Sequence, residues 1–561
     1  MVISWKYAFF MKKIIQKITT CPISINLLII LVAFYQATIL NLSFYKQVLA
    51  KLPLDSFANI SFFLSMPVVV FCVVFILLCV FINKWLVKIV ASTLVLISSV
   101  VSYYMLKFGI IIDRSMLQNT IETNIAESSS LITFELINYI LFLGILPTIL
   151  IIFVKIKTVK IDLYFIFKQV IIILITFLLV GLIALVFYES YASFMRNNNK
   201  IIKYLLPSNY ISAIYSQYQF EKYKNQPFLT IGNDAYRPKT NLHNASNKTV
   251  VVLIVGETAR SQNFALNGYS KDTTPYLTKR NDIISFQNTS SCGTYTAYSI
   301  PCMFSNMTRK NYDESLALRQ ENVLDILNKV KIDVDWLDNN TGCKGVCERV
   351  QNDNITKKYL ASNSQLCQDG TCYDEVLINE LADKLNHIDK DSLIILHPLG
   401  SHGPNYYQRY PAKFKKFTPT CDTNQINNCD LESLVNTYDN TIVYTDFIVN
   451  QAIELLQKQQ FNSMVIYLSD HGESLGENGL YLHSFPYSIA PEQQTRVPFI
   501  IWISNSYIKL SNINIQCVKK HSKQDFISHD NLFHTLLSIF DVQTKEYNSS
   551  LDILNDCKIT P

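Results

Sequence analysis

Five long apolar stretches in the first third of the 561-residue chain constrain its fold more than any other feature. A helix needs about 20 apolar residues to cross a bilayer, and each stretch reaches that length with few internal charges. The first is too long to be a removable signal peptide, and further spans follow it. The sequence therefore predicts an N-terminal transmembrane domain of five helices over residues 1–190, with spans at residues 25–44, 60–82, 86–112, 131–154 and 164–187.

Lysines placed around these spans predict the orientation of the chain. They precede the first span, lie between the second and third spans, and follow the fourth span, which assigns those segments to the cytoplasm. An odd number of spans then puts the 107–130 connection and everything after about residue 190 outside. The net charge of +5 is small for this length and does not indicate nucleic-acid binding. The lysines are Lys6, Lys12, Lys13, Lys17, Lys84, Lys88, Lys155, Lys157 and Lys160.

The cysteines indicate an oxidising compartment for the outer part. Three of the thirteen lie in or beside membrane spans, which leaves ten outside. Eight of these are close neighbours, and short-range pairing is the simplest disulfide framework, although spacing alone cannot fix connectivity. A thiolate zinc site at Cys343 and Cys347 is the alternative. The expected pairs are Cys292–Cys302, Cys343–Cys347, Cys367–Cys372 and Cys421–Cys429, with Cys517–Cys557 as a fifth.

The outer part divides into a bridge and a folded domain. Residues 191–248 are polar, with an amphipathic piece followed by a Pro/Asn-rich segment, and are expected to form a bridging helix and a linker. From residue 249 to residue 561, apolar runs of strand length alternate with helical stretches, which predicts an α/β domain around a largely parallel sheet. The predicted strands are residues 250–255, 283–286, 332–337, 393–396, 464–468 and 499–503.

Two of these strands end in residues that can bind a metal ion. VVVLIVGETAR (250–260) brings Glu257 to a strand end, and MVIYLSDHGESLGENG (464–479) does the same for Asp470 and His471. Open α/β sheets bind ligands at this edge. Two carboxylates and an imidazole suit zinc or a harder divalent ion. The alternative is structural: Glu257 would cap a helix, and Asp470 and His471 would lie in an ordinary turn.

A hydroxyl cluster in SSCGTYTAYSIPCMFS (290–305) supplies candidate nucleophiles, Thr294 and Thr296. A threonine hydroxyl is a weak nucleophile until a base or a metal ion activates it. If TAYSIPC opens a helix, its free N–H groups would also favour a phosphate. The alternative is a threonine that only caps a helix.

Five motifs together resemble the lipid A phosphoethanolamine transferases, a family that includes the mobile colistin-resistance enzymes. The resemblance extends over the whole chain. It implies five membrane helices followed by a periplasmic domain of the alkaline phosphatase/sulfatase-like fold, with a mostly parallel sheet flanked by helices. The motifs are GETAR (256–260), CGTYTAYSIPCMFS (292–305), DNNTGCKGVCERV (338–350), SHGPNYYQRYP (401–411) and SDHGESLGENGLYLH (469–483).

The resemblance also assigns roles to individual residues. Thr296 would be the nucleophile, and Zn²⁺ would be held by Glu257, Thr296, Asp470 and His471. His402 and His483 match further active-site histidines, which can bind a second zinc or contact the substrate phosphate. Lys344 matches a lysine of the substrate site.

The outward membrane loop contributes three further matches, Asn119, Thr123 and Glu127, which the resemblance places near the lipid headgroup. Their spacing of four puts them on one face of a helix. The alternative is a solvated helix face. Tyr295 and Thr341 occupy positions that are expected to vary and to tune specificity.

The implied reaction transfers phosphoethanolamine from phosphatidylethanolamine to a lipid A phosphate through a covalent threonine intermediate. A monomer in the Gram-negative inner membrane, with its catalytic domain in the periplasm, is expected, and the modification would confer polymyxin resistance. Zinc would polarise the phosphoryl oxygens, Lys344 would offset their charge, and His402 or His483 would protonate the departing diacylglycerol.

Four other functions remain open on the sequence alone. A sulfatase-type hydrolase would share the fold, but SIPCM lacks the arginine of the C/S-x-P-x-R pattern. A glycerol-phosphate transferase would differ in acceptor, and a membrane-anchored sensor would only bind a ligand. Phosphoethanolamine could also go to Kdo, core sugars or periplasmic glucans.

Reporter fusions after residues 158 and 240 test the predicted topology. Because the lysines assign residue 158 to the cytoplasm and residue 240 to the outside, the two fusions should give opposite results with paired alkaline phosphatase and fluorescent-protein reporters. Finding both on the same side would contradict five spans.

Overall fold

The computed structural model describes residues 22–122, 131–158 and 160–559. The chain divides into two compact units. We call residues 1–114 and 132–215 the helical unit, and residues 115–131 and 216–561 the sheet unit. The boundary at residue 215 falls inside helix Ser208–Lys224. The predicted limits of the bridge, 191–248, stay a prediction.

The helical unit contains apolar helices that begin at polar caps. A side-chain oxygen accepts a hydrogen bond from the first turn of each of five helices and satisfies a backbone N–H that the helix leaves free; the capping residues are Ser24, Ser56, Asn83, Thr133 and Asp162. The helices are α1 (Ile25–Thr38), α2 (Leu42–Leu49), α3 (Phe57–Cys79), α4 (Lys84–Lys107), α5 (Phe134–Phe153) and α6 (Leu163–Val186).

The first predicted span is not one straight helix. Within the described residues, four helices are long and apolar enough to cross a membrane, and α1 with α2 forms a pair bent by 42°, so the chain has four to five candidate spans. The buried Asn41 lies at the break. Its side-chain amide donates to the carbonyl oxygens of Gln36 and Leu206, and its oxygen accepts from the Leu206 N–H. These bonds replace helical ones, which explains why an apolar run contains a bend.

The shorter helical segments of this region are Arg114–Glu122, Tyr188–Asn197, Asn199–Tyr204 and Ser208–Lys224. From residue 115 onward the first belongs to the sheet unit, and the last begins in the helical unit and crosses the boundary at residue 215. Tyr210 on the last of these is within 3.1 Å of the Ser98 hydroxyl, which in turn accepts a 2.7 Å bond from the Gln36 side chain. A buried polar chain therefore links α1, α4 and helix Ser208–Lys224 inside the helical unit.

The sheet unit is built on seven strands. In chain order they are β1 (Thr249–Gly256), β2 (Ile283–Phe286), β3 (Asp333–Asp338), β4 (Gln351–Asn354), β5 (Ser392–His397), β6 (Asn462–Ser469) and β7 (Phe499–Ile503). Their order across the sheet is β2-β7-β6-β1-β5-β3-β4. Four of the six pairings are parallel, and β7 runs antiparallel to both β6 and β2. The prediction that the sheet is largely parallel is confirmed. The sheet is nevertheless mixed, because β7 is antiparallel to both of its neighbours.

Central strands of this sheet are fully buried. All eight residues of β1 and all eight of β6 are buried, as expected for apolar strands covered on both faces. Strand β4 was not predicted. Its residues, QNDN, are polar and exposed at the sheet edge, so no apolar pattern marks them. The main helices are Thr296–Met303, Val323–Lys329, Ile355–Ala361, Glu375–Leu385, Leu431–Gln457, Asn505–Ser511, Ile515–Gln524 and Asp530–Ile539.

Candidate functional site

Strand register brings the two predicted carboxylates together. Gly256, the last residue of β1, lies opposite Ser469, the last residue of β6, in the parallel pairing. The next residues, Glu257 and Asp470, therefore leave the sheet side by side, and the Asp470 N–H donates to the Gly256 carbonyl at 2.8 Å. Potential ligand atoms of Glu257, Asp470 and His471 all lie within 4.8 Å of one another, and the three residues are buried.

Thr296 lies against this cluster, whereas Thr294 points elsewhere. The Thr296 hydroxyl oxygen is 3.2 and 3.3 Å from the two Glu257 carboxylate oxygens and 3.3 Å from His471 Nε2. The Thr294 hydroxyl donates to the Phe485 carbonyl. Tyr295 occupies the N-cap of helix Thr296–Met303, so neither threonine caps that helix. The geometry distinguishes two threonines that the sequence pattern alone did not.

The threonine loop is held by a disulfide and by His529, a histidine that no sequence motif indicated. Cys292 pairs with Cys302. The Cys292 N–H donates to His529 Nδ1 at 3.1 Å, and His529 Nε2 lies 2.9 Å from the Ser469 carbonyl. Burial lowers the pKa of His529 to about 4, so its ring is neutral, with Nδ1 accepting and Nε2 donating. His529 thereby ties the threonine loop to the end of β6.

Electrostatics at the cluster suit a cation. Burial and, as the next largest cause, the charge of the neighbouring Glu257 carboxylate raise the pKa of Asp470 to about 7. Burial would lower the pKa of His471, but the charges of Asp470 and Glu257 outweigh this and raise it to about 9. For Glu257, burial opposes ionisation, yet the hydrogen bond and charge of His471 hold its pKa well below the usual range. These shifts show a buried concentration of negative charge that one imidazole partly compensates.

A divalent cation fits the donors present. Asp470 Oδ2 is buried and accepts no hydrogen bond among the described residues. His471 Nδ1 lies 2.9 Å from the Gly472 carbonyl, so Nδ1 carries the N–H that bonds there, and Nε2 faces the carboxylates, where it can bind a cation in place of a proton. The Asn340 side-chain amide donates to Glu257 Oε2 at 2.9 Å and orients that carboxylate. Two carboxylates, an imidazole nitrogen and a hydroxyl oxygen form a donor set typical of zinc.

Two further predicted histidines border the cluster. The His483 ring centroid is 4.6 Å from that of His471 and 5.4 Å from that of His402. His483 Nδ1 lies 3.2 Å from a Glu473 carboxylate oxygen, which fixes the orientation of the ring. Both histidines are largely buried, with 7% and 8% of their surface exposed.

The remaining predicted site residues lie on surrounding loops. Lys344 is in the Cys343–Cys347 loop, where its ammonium donates to the Thr341 carbonyl at 3.1 Å. The Asn119 side chain lies 3.4 Å from the Ser484 hydroxyl, next to His483 and inside the sheet unit. Thr123 and Glu127 lie outside the described residues.

Disulfide pairing agrees with the sequence analysis. All four close pairs form, and Cys517 pairs with Cys557, so the five predicted disulfides are confirmed. The thiolate zinc site considered for Cys343 and Cys347 is thereby wrong, because a disulfide sulfur is not a thiolate ligand. Among the described cysteines, Cys72 and Cys79 in α3 are free thiols.

Known protein families match both parts of the chain. Residues 249–542 match the sulfatase family, and residues 70–221 match a family described as phosphoethanolamine transferase EptA/EptB. The chain is 47% identical over 539 residues to phosphoethanolamine transferase EptA of Escherichia coli (strain K12), covering 95% of this chain and 98% of the relative. It is 34% identical over 519 residues to the phosphatidylethanolamine transferase Mcr-1 of Escherichia coli, covering 91% and 94%.

A solved structure extends this likeness to both units. The integral membrane protein lipooligosaccharide phosphoethanolamine transferase A of Neisseria meningitidis matches with a TM-score of 0.92 at 39% identity, over 96% of this chain and 100% of that chain. The protein belongs to the phosphoethanolamine transferase family, and the predicted resemblance and sulfatase-like fold are confirmed.

Gly400 offers a test of how sensitive the site is to the position of Glu257. Its φ is +54°, and a Cβ there would lie 2.9 Å from the Glu257 carbonyl oxygen. Because a displacement of about 1 Å in an active site can cost ~100-fold in rate, Gly400→Ala should lower transferase turnover at least about tenfold. The measurement is turnover of purified full-length protein in detergent.

Gly268→Ala is the matched control. Gly268 also has a positive φ, +95°, but a Cβ there meets nothing within 4 Å. Both variants carry the backbone strain of a left-handed alanine, about 1–2 kcal/mol, and only one displaces Glu257. Equal loss of turnover in the two variants would contradict the conclusion that turnover depends on the position of Glu257.

Proposed function

We propose that this protein transfers phosphoethanolamine from phosphatidylethanolamine to a phosphate of lipid A, with Thr296 as the nucleophile. One observation carries the proposal: the Thr296 hydroxyl lies 3.2–3.3 Å from Glu257 and His471, in a buried cluster at the edge of a sulfatase-like sheet. The same position begins helix Thr296–Met303, whose N-terminus favours a phosphate.

Donor and acceptor are supported by what the relatives are named for. Mcr-1 is named a phosphatidylethanolamine transferase, and the Neisseria meningitidis protein a lipooligosaccharide phosphoethanolamine transferase. The relative named Kdo(2)-lipid A phosphoethanolamine 7''-transferase is less similar, at 27% identity over 75% of this chain. These likenesses favour a lipid A phosphate over Kdo as the acceptor here.

Two displacements account for the transfer. The Thr296 hydroxyl first releases its proton to solvent. Its oxygen then attacks the phosphorus of phosphatidylethanolamine, a new P–O bond forms, and the bond to the diacylglycerol oxygen breaks. His402 or His483, with ring centroids 5.4 Å apart, donates the proton that the departing diacylglycerol oxygen takes. A lipid A phosphate oxygen then attacks the same phosphorus, the bond to Thr296 breaks and leaves its oxygen deprotonated, and the proton of that phosphate returns to the histidine. Lys344 offsets the charge on the non-bridging oxygens.

The residues that would hold zinc are Glu257, Thr296, Asp470 and His471. Bound Zn²⁺ would lower the pKa of the Thr296 hydroxyl and polarise the phosphoryl oxygens. Asn340 and the Gly472 carbonyl keep Glu257 and His471 in orientation. His402 and His483 are also candidates for a second zinc site.

Placement in the envelope completes the proposal. Residues 1–190 form a five-span domain in the Gram-negative inner membrane, with α1 and α2 as one bent span. Residues 191–248 form the bridge, and residues 249–561 the periplasmic catalytic domain. The substrate-binding role that the resemblance implies for Asn119, Thr123 and Glu127 is part of the same proposal. Transfer turns the lipid A phosphate into a diphosphate ester that carries an ammonium group. This lowers the net negative charge at that position, so the cell surface attracts polymyxins less strongly.

Removing the carboxylates tests the zinc site. Glu257→Ala and Asp470→Ala should each lose bound zinc and activity, because the remaining donors no longer complete the coordination shell. The measurement is metal analysis of purified full-length variants, with membrane insertion checked in parallel. Asp422→Ala, which removes an exposed carboxylate paired with Lys415, should keep its zinc. Unchanged zinc content in both site variants would count against Glu257 and Asp470 as zinc ligands.

Substituting the two threonines tests the mechanism. Thr296→Ala should abolish lipid A modification and polymyxin resistance, while Thr294→Ala, which only loses a bond to the Phe485 carbonyl, should keep a measurable part of each. Mass spectrometry of lipid A from cells carrying each variant reports the product, and peptide mapping should find the adduct on Thr296. Near wild-type modification by Thr296→Ala would refute the covalent mechanism.

A further inference from the structure

A basic cavity lies in the helical unit, at the end where α4 begins and α5 ends. Its volume is about 680 Å³. The walls come from the first turns of α4, the last turn of α5 and the extended segment that follows it. The described residues lining it are Pro22, Lys84, Trp85, Lys88, Ile152, Phe153, Val154, Lys155, Ile156, Lys157 and Thr158.

The described residues around this cavity give it an excess of positive charge. Four of the lining residues are lysines, and none of the described lining residues is Asp or Glu. Within the described part of the chain, none of the four lysines forms an ion pair with a carboxylate. Like charges gathered around one cavity repel each other, and an anion placed among them relieves that repulsion.

Backbone bonds hold the lysine-bearing segments in place. The Lys88 ammonium donates to the carbonyls of Ile152 and Val154, at 2.6 and 2.7 Å, and so satisfies the C-terminal end of α5. The Ile23 N–H donates to the Lys155 carbonyl, and the Lys157 N–H to the Ile23 carbonyl, both at 2.9 Å. Lys155 and Lys157 are two apart in this extended segment, so both leave it on one side.

Trp85 indicates the depth of the cavity in a bilayer. It is 64% exposed, and the ammonium groups of Lys84 and Lys88 lie 5.9 and 5.7 Å from its ring centroid. Tryptophan and lysine side chains at a helix end are typical of the membrane–water interface, where lipid phosphates lie. The cavity is therefore at headgroup level.

An adjoining cavity of about 290 Å³ supplies an apolar extension. The two cavities share walls at Lys84, Trp85 and residues 156–158. The smaller one adds Asn83, whose side-chain oxygen already accepts from the Trp85 N–H, and four apolar side chains, those of Ile25, Ile82, Ile161 and Phe165. An occupant that fills both has an anionic group at one end and hydrocarbon at the other.

We infer that these joined cavities bind one anionic phospholipid, such as phosphatidylglycerol, from the leaflet at this end of the helices. The phosphodiester lies among Lys84, Lys88, Lys155 and Lys157, and the start of an acyl chain lies along the apolar extension. A free phosphate would match the lysines but leave the apolar walls without a partner. This site is independent of the proposed transfer reaction, since its residues belong to the helical unit and take no part in the site around Thr296.

Fluorescence quenching by brominated lipid tests the inference. The chain has four tryptophans. Trp5→Phe removes one, and Trp336 and Trp502 are buried in the sheet unit, which leaves Trp85 to report contact with lipid. Full-length protein is reconstituted in phosphatidylcholine vesicles, and dibrominated phosphatidylglycerol, phosphatidylethanolamine or phosphatidylcholine is titrated over the same range of mole fractions.

Brominated phosphatidylglycerol should quench Trp85 at a mole fraction at least about tenfold lower than brominated phosphatidylcholine requires. This follows from about a fivefold gain per lysine near an anionic lipid, with some loss from screening. Lys84→Gln, Lys155→Gln and Lys157→Gln combined should remove the preference. Lys88 is kept, because it also holds the end of α5.

The matched control combines Lys46→Gln, Lys160→Gln and Lys168→Gln, which changes the net charge equally at exposed lysines outside the cavity walls. It should keep the wild-type preference. Equal quenching by all three lipids in the wild type, or the same loss in both triple variants, would overturn the inference. Displacement of the brominated lipid by millimolar inorganic phosphate would also overturn it, because the site would then recognise phosphate without lipid.

Discussion

In-register parallel pairing of β1 with β6 is the constraint on which the site depends. Each strand ends in the residue just before a carboxylate of the buried cluster, Gly256 before Glu257 and Ser469 before Asp470, and Gly256 and Ser469 are partners in the sheet. Two carboxylates with buried side chains repel each other strongly, and burial alone would neutralise at least one of them. The sheet core supplies the stability that holds them together, and His471 supplies part of the compensating charge.

The sequence predicted the edge of the sheet that carries the site, because β1 and β6 are each an apolar run of strand length followed directly by polar residues. The same reasoning failed where a structural feature depends on a contact that the local sequence does not show. Asn41 bends an apolar run by bonding to Leu206, 165 residues away. Strand β4 has no apolar residue and joins the sheet only because β3 offers a free edge. Neither feature has a local signal.

In the site, too, residues marked by a local sequence pattern could be predicted, and residues placed by contacts with distant parts of the chain could not. Glu257, Asp470 and His471 could be grouped from the two strand ends, but the choice of Thr296 over Thr294 came from family resemblance. Asn340 and His529 were missed, because each reaches the site through a bond to a residue distant in the chain: Asn340 to Glu257, 83 positions away, and His529 to Cys292, 237 positions away. An isolated polar residue before a helix or in a loop gives no sign of such a partner.

The short spacing of the disulfides has a consequence for how the outer domain acquires its covalent structure. Four of the five pairs join cysteines 4 to 10 positions apart, and only Cys517 and Cys557 are 40 apart. Because closing a small flexible loop costs less entropy than closing a large one, each cysteine meets its correct partner more often than any of the others, even in the unfolded chain. Correct pairing is therefore favoured statistically before the sheet forms, and a domain with ten half-cystines has little need of disulfide reshuffling.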